Sequence, residues 1–305
     1  MRCLNLFSTV SALAMALGIA TAAHAADASP QVQFVPPPPP VPPVSGYVGV
    51  GVGISTQPDN FSNYPYGTGF AFGGAGAASV WLNPGTSLQF DVEAEGAGPF
   101  GYENQDYSEA RFSGVVGGHV DWRSSSHAVG AFLGFTGANT LYYCGANIGA
   151  LGGLEGQAYL GMTTLYGQVG YGGQFHNADC GMLDKYWFVR GVVRHFINPD
   201  LKIEGEVAYA AGESQDQGSP PPSLNLLTWG VSVEKRVTGS PFSYHAAYAG
   251  DHLNGPYAVT QHTFLVGAKM NFGTGTLFDN DRQGATFDMP DFYRGMPWSC
   301  IAGDC

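Results

Sequence analysis

"HTFLVGAKMNFG", residues 262 to 273, alternates in the manner of a half-buried strand and ends on an aromatic, Phe272. Within it, Gly267, Met270 and Phe272 follow in the order expected of the last strand of a closed sheet. Yet Gly273 to Cys305 still follow. The stretch therefore raises two questions: which strand it closes against, and what the remaining residues do.

Upstream, the same period of two recurs from Gly46 onward. "YVGVGVGIS" places Val48, Val50, Val52 and Ile54 on one face and Gly49, Gly51 and Gly53 on the other. "SLQFDVEAE" sets Leu88, Phe90, Val92 and Ala94 against Gln89, Asp91, Glu93 and Glu95, and "LKIEGEVAY" sets Leu201, Ile203, Val207 and Tyr209 against Lys202, Glu204 and Glu206. Twelve such segments are expected, at about 46–55, 68–82, 87–98, 109–122, 127–138, 148–160, 163–175, 185–196, 201–213, 224–237, 241–252 and 261–272. They exceed the five or six residues of an average soluble strand and match the roughly 9 to 11 needed to cross a bilayer at a tilt. Ten or eight strands are the alternatives if 127–138 and 148–160 are loop.

Connections sort by parity. The odd ones are long and polar, such as "TQPDNFSNYPYG" and "SQDQGSPPPS", whereas the even ones are tight, at Asn83, Arg123, Gly161, Asn198 and Thr238. Long loops on one side of a membrane and short turns on the other are the pattern of transmembrane barrels, and an even strand number puts both barrel ends on the short-turn side. Trp81 and Trp122 fall just before short turns, where an aromatic girdle is expected.

The ends of the chain bear on compartment. Arg2 precedes the apolar run "LFSTVSALAMALGIATAA", and "AHA" at Ala23–Ala25 has the small residues of a signal-peptidase site, so residues 1–25 are expected to be a cleaved signal peptide. Residues 26–45 include "VQFVPPPPPVPPVSG", a spacer of polyproline II character. Cys144, Cys180, Cys300 and Cys305 remain after cleavage, and four cysteines allow three pairings. Cys144 and Cys180 lie in neighbouring long loops, while Cys300 and Cys305 lie together in the tail; pairs of either kind respect the topology. With a net charge of −12 and no basic stripe, a nucleic-acid partner is excluded.

These features, with the "AHA" site and the closing "VGAKMNF", resemble the small outer-membrane β-barrel surface proteins and porins of Gram-negative bacteria over about Gly46 to Phe272. The resemblance implies an all-β, antiparallel transmembrane barrel in the outer membrane, surrounded by its lipids. It also makes Gly267, Met270 and Phe272 the signal read by the barrel-assembly machinery. It names no solute or cofactor, and the extension beyond Phe272 departs from the usual terminal aromatic.

If the apolar faces meet lipid, the polar faces line a lumen. Asp91, Glu93, Glu95, Arg111, His119, Asp121, Glu155, Arg190, Arg194, Lys202, Glu204, Glu206, Glu234, Arg236, His245, Asp251 and Lys269 would point inward. The hairpin at Asn198 brings Arg190 and Arg194 beside Glu204 and Glu206. Such a set is either a salt-bridge network that fills the barrel or a charged constriction that selects permeants. The leading function is a passive porin-like channel. The rivals are a non-conducting surface protein with an adhesive or structural role, and a lipid-modifying enzyme. Enzyme chemistry has little support: Ser113, His119 and Asp121 share a face, but the serine and histidine are too far apart along an extended strand, and Ser243 with His245 lacks a third group. "DNDRQG" at Asp279 opens like a calcium loop but has Pro290 where a bidentate glutamate belongs. The tail, acidic and aromatic, either extends from the barrel or folds against its mouth, and its aromatic content favours the second.

Overall fold

Alternation with a period of two buries nothing in a single strand, so the chain must close a sheet in which one face meets lipid and the other is enclosed. A computed structural model shows this closure. It describes residues 42–56, 68–101, 108–140, 147–176, 183–214, 223–254 and 258–292. The expected signal peptide, nearly all of the proline-rich spacer and all the cysteines lie outside these residues.

Twelve antiparallel strands form one closed barrel: β1 (Val44–Thr56), β2 (Thr68–Asn83), β3 (Thr86–Gly101), β4 (Ser108–Arg123), β5 (His127–Thr140), β6 (Asn147–Leu160), β7 (Thr163–His176), β8 (Leu183–Asn198), β9 (Leu201–Ser214), β10 (Ser223–Arg236), β11 (Phe242–Asn254) and β12 (Val259–Phe272). Segments 127–138 and 148–160 are both strands, so the ten- and eight-strand alternatives fall. Each strand pairs with its neighbours in sequence, and β12 returns to β1 from Gly46 opposite Phe272 to Thr56 opposite His262. That seam answers the first question. "HTFLVGAKMNF" removes the two edges that β1 and β12 would otherwise expose.

The faces divide as the alternation requires. Val48, Val50, Val52, Ile54, Phe90, Val92, Ile203 and Val207 are exposed around the outer wall. Gln89, Asp91, Glu95, His119, Glu155, Arg190 and Arg194 are buried inside. Met270 is exposed on the outward face, Phe272 is half-buried at the seam, and Gly267 pairs with Gly51.

The chain then departs from a plain barrel. Gly273 takes a positive φ of 84°, and an added Cβ there would lie 2.3 Å from the Val44 carbonyl oxygen, so only glycine reverses the chain at this point. Thr276 caps a short helix, α1 (Leu277–Gln283), by accepting a hydrogen bond from the Asp279 backbone N–H. The helix lies across the short-turn mouth: the Phe278 N–H donates to Pro199 O at 3.0 Å, and Arg282 Nη2 donates to Gly161 O at 2.8 Å. Residues 284–292 then pass into the lumen, where Phe287, Met289 and Phe292 are almost fully buried. Trp81 turns inward rather than joining a lipid-facing girdle, and its Nε1 donates to Gln283 O at 2.8 Å.

The inside–outside assignment predicts unequal tolerance. Arginine at Val92 should destabilise the barrel by about 2–4 kcal/mol. Glu93→Gln should be mild by comparison. Urea titration of both variants in bilayers checks this, and equal losses would contradict the assignment.

Candidate functional site

Inside the barrel the two walls differ in kind. Strands β1 and β2 present Gly49, Gly51, Gly73, Ala75 and Ala77 inward along their middle, and large side chains only near the short-turn end, where Tyr47 lies beside Lys269 and Trp81 meets the tail. Strands β3 to β9 present long polar side chains, and these hold the C-terminal segment. A segment with no strand partner needs acceptors and donors for its own backbone. The barrel supplies them one residue after another. Arg123 Nη1 donates to Gly284 O at 2.7 Å, and Arg194 Nη1 donates to Thr286 O at 2.6 Å. The Gln89 side chain donates to Phe287 O and accepts from the Phe287 N–H. Gln168 Nε2 donates to Asp288 O at 2.9 Å.

Side chains of the segment are seated equally closely. Phe287 stacks on His119, with centroids 5.8 Å apart, and Phe292 packs on Phe188 at 5.0 Å and on Tyr186 at 6.0 Å. Met289 fills a hollow left by two glycines: a Cβ on Gly117 would lie 2.0 Å from its Cε, and one on Gly134 would lie 3.1 Å from its Sδ. Along the strands, Tyr186 lies much nearer the long-loop end of β8 than His119 does to that end of β4, so the segment climbs the lumen from the short-turn mouth.

Charge pairing is dense. Arg190 is held by Glu206 (Nη2–Oε2 2.6 Å) and Asp288 (Nη2–Oδ2 2.9 Å). Arg194 is held by Glu204 at 2.7 Å, Asp281 at 3.3 Å and Asp288 at 3.3 Å. Lys202 and Lys269 reach Glu234 at 3.6 and 3.2 Å. His119 lies between Asp91 and Glu155, each at 2.7 Å. Asp121 accepts from Arg123 Nε at 2.5 Å, Arg111 donates to Gln261 at 3.1 Å, and Arg236 Nη1 donates to Thr274 O at 2.9 Å. Glu93 and Glu95 border the cavity described below. Asp251 is buried opposite Gln261 and Thr228. Of the serine–histidine pairs, Ser243 donates to Glu234 at 2.7 Å, and the His119 ring nitrogens are taken by Asp91 and Glu155, so neither histidine activates a serine. Cys144, Cys180, Cys300 and Cys305 lie outside the described residues.

The segment fills only part of the interior. A cavity of about 290 Å³ persists between it, the small-residue wall of β1–β2 and the charged wall of β8–β12. Glu93, Lys202, Glu206, Glu234 and Lys269 border it, with Asp288 and Phe292 on the side of the segment.

Among solved structures, the barrel is similar to the COG4313 outer-membrane channel from Pseudomonas putida F1. The identity is 13% and the TM-score 0.57, over 79% of this chain and all of that one. Weaker likenesses include the KdgM porin in complex with disordered oligogalacturonate (12% identity, TM-score 0.40, 75% of this chain and 99% of that one). Another is the translocator domain of the autotransporter NalP from Neisseria meningitidis (6%, 0.44, 75% and 88%). No protein-family model matches the sequence, and no curated protein does. The fold is the one seen in outer-membrane β-barrels, a closed barrel of twelve antiparallel strands, here with part of its own chain inside it.

Seating of the segment should depend on acid. Burial raises the Asp288 carboxyl, but the guanidinium groups of Arg190 and Arg194 outweigh it and hold the group below the usual carboxylate range. A lowered pKa stabilises the seated state fully above the free value of about 4, and the contribution is lost as pH falls below it. A tryptophan at Phe292 should therefore report a progressively wetter environment from pH 5 to pH 2. With Asp288→Asn added, this part of the pH response should vanish.

Proposed function

We propose that the protein is a porin-like channel of the bacterial outer membrane, exported by its signal peptide and closed in this state by its own C-terminal segment. The cavity between a wall of glycine and alanine and a wall of charged residues carries this proposal. Inward glycines on β1 and β2 leave volume that a purely structural barrel would fill with side chains. The bordering Lys202, Glu206, Glu234 and Lys269 suit water and ions rather than an apolar ligand. The lumen is therefore a passage narrowed by residues 284–292, and the segment is the part that can leave. The fold shared with the Pseudomonas channel is consistent with this.

One observation favours the rival, a non-conducting surface or envelope-structural protein. The backbone of the segment is hydrogen-bonded by Arg123, Arg194, Gln89 and Gln168, a seating as thorough as that of a permanent core. The lipid-modifying enzyme has less support, since the lumen serines Ser87 and Ser243 donate to carboxylates that are themselves held by Arg123 and Lys269, and neither is bonded to a histidine.

Conductance separates the two. In planar bilayers the intact protein should pass little current. Deletion of Thr274–Cys305 should leave a heat-modifiable barrel and raise single-channel conductance severalfold. A folded deletion variant that stays as silent as the intact protein would favour the structural role.

A further inference from the structure

Two arginines in the lumen are arranged to grip a carboxylate, and each is anchored at its Nε by a glutamate of the adjacent strand. Arg190 meets Asp288 through both ends of its fork, Nη1 to Oδ1 at 3.1 Å and Nη2 to Oδ2 at 2.9 Å. Arg194 Nη2 adds a contact to Oδ1 at 3.3 Å. This is the bidentate geometry that favours planar oxyanions. Each guanidinium is also fixed from behind by the barrel. Arg190 Nε donates to Glu206 at 3.1 Å and its Nη1 to Gln168 at 3.0 Å, while Arg194 Nε donates to Glu204 at 2.7 Å. The Tyr166 ring lies 5.7 Å from one guanidinium carbon and 5.1 Å from the other. Without Asp288, both forks would still point into the lumen.

We propose that Arg190 and Arg194 form a receptor for a small oxyanion, a carboxylate or a phosphate, whose place the Asp288 side chain occupies in the closed state. This inference rests on the channel reading and gives its lumen a ligand class. Charge on the receptor wall agrees. Arg190, Arg194, Lys202 and Lys269 face the carboxylates of Glu204, Glu206 and Glu234, four cations against three anions, and the tail adds Asp288 and Asp281 to the two arginines. Asp281, the other tail carboxylate on Arg194, lies beside its own arginine, Arg282, at 3.6 Å. The adjoining cavity of about 290 Å³ gives a small anion room to arrive. Glu93 and Glu95 border the same cavity from β3, so the part of it suited to an oxyanion is the one at the two arginine forks. An anion that binds here competes with the segment's latch, so ligand and opening are linked.

The test uses the full-length Asp288→Ala protein in detergent, with folding confirmed by heat-modifiability. Sodium acetate and sodium phosphate are titrated by calorimetry against sodium chloride at matched ionic strength. Acetate or phosphate should bind saturably to Asp288→Ala and at least tenfold more weakly to the wild type, and chloride should not bind. Adding Arg190→Lys, which keeps the charge but loses the fork, should weaken acetate and phosphate binding tenfold or more. Asp288→Ser serves equally should the alanine variant not fold. Binding of acetate and phosphate no better than that of chloride in a folded variant overturns the receptor, as does affinity unchanged by Arg190→Lys. Because the readout is binding, acetate uptake by Asp288→Ala together with a folded Thr274–Cys305 deletion variant that passes no current would leave the receptor standing and refute the channel.

Discussion

Buried guanidinium groups constrain this lumen more than any other feature. Arg190 and Arg194 are nearly inaccessible to solvent, and an uncompensated charge in such a place is costly. One glutamate each, Glu206 and Glu204, comes from the adjacent strand. Their remaining donors are taken by Gln168 and by the C-terminal segment, through Asp288, Asp281 and Thr286. Removing the segment would thus expose donors on both arginines at once. The seat of the segment and the charge balance of the barrel are one problem with one solution.

The rest of the interior follows from where volume is allowed. Along the middle of β1 and β2 the inward positions are glycine and alanine, so residues 284–292 are held against β3 to β8 instead. On the gripping side Gly117 and Gly134 also leave space, and there the Met289 side chain enters it. Small residues thus serve two ends in one barrel: an unfilled passage along one wall and a fitted socket in the other.

Much of the barrel was legible in the sequence because its determinants are local. Period-two alternation marks each strand, turn residues mark the short connections, and the seam follows from the terminal "VGAKMNF" pairing with the first strand. The pairing of Arg190 and Arg194 with Glu206 and Glu204 was legible too, since one hairpin places them side by side. The position of residues 273–292 was not. Their contacts join residues about a hundred positions apart, such as Asp288 with Arg190, and no periodicity links them. The acidic, aromatic composition pointed to docking at the mouth, but the depth of insertion depended on features with no sequence signature of their own. Gln89 reads as an ordinary polar-face residue, and Gln157 and Gln168 carry no signal, although together the three form a row of donors for a backbone. Trp81 was expected at a lipid interface, and only the path of α1 explains why it faces inward.

Occupation of the lumen by the C-terminal segment can be tested directly by replacing Phe292 with a photo-reactive benzoylphenylalanine in the full-length protein. In the structure this ring lies 5.0 Å from Phe188 and 6.0 Å from Tyr186, both on the inner face of β8. Irradiation of the folded, membrane-inserted barrel should yield an internal cross-link whose peptides map to Leu183–Asn198. Cross-links only to lipid or detergent, or none to β8 in a barrel shown to be folded, would contradict a segment seated in the lumen.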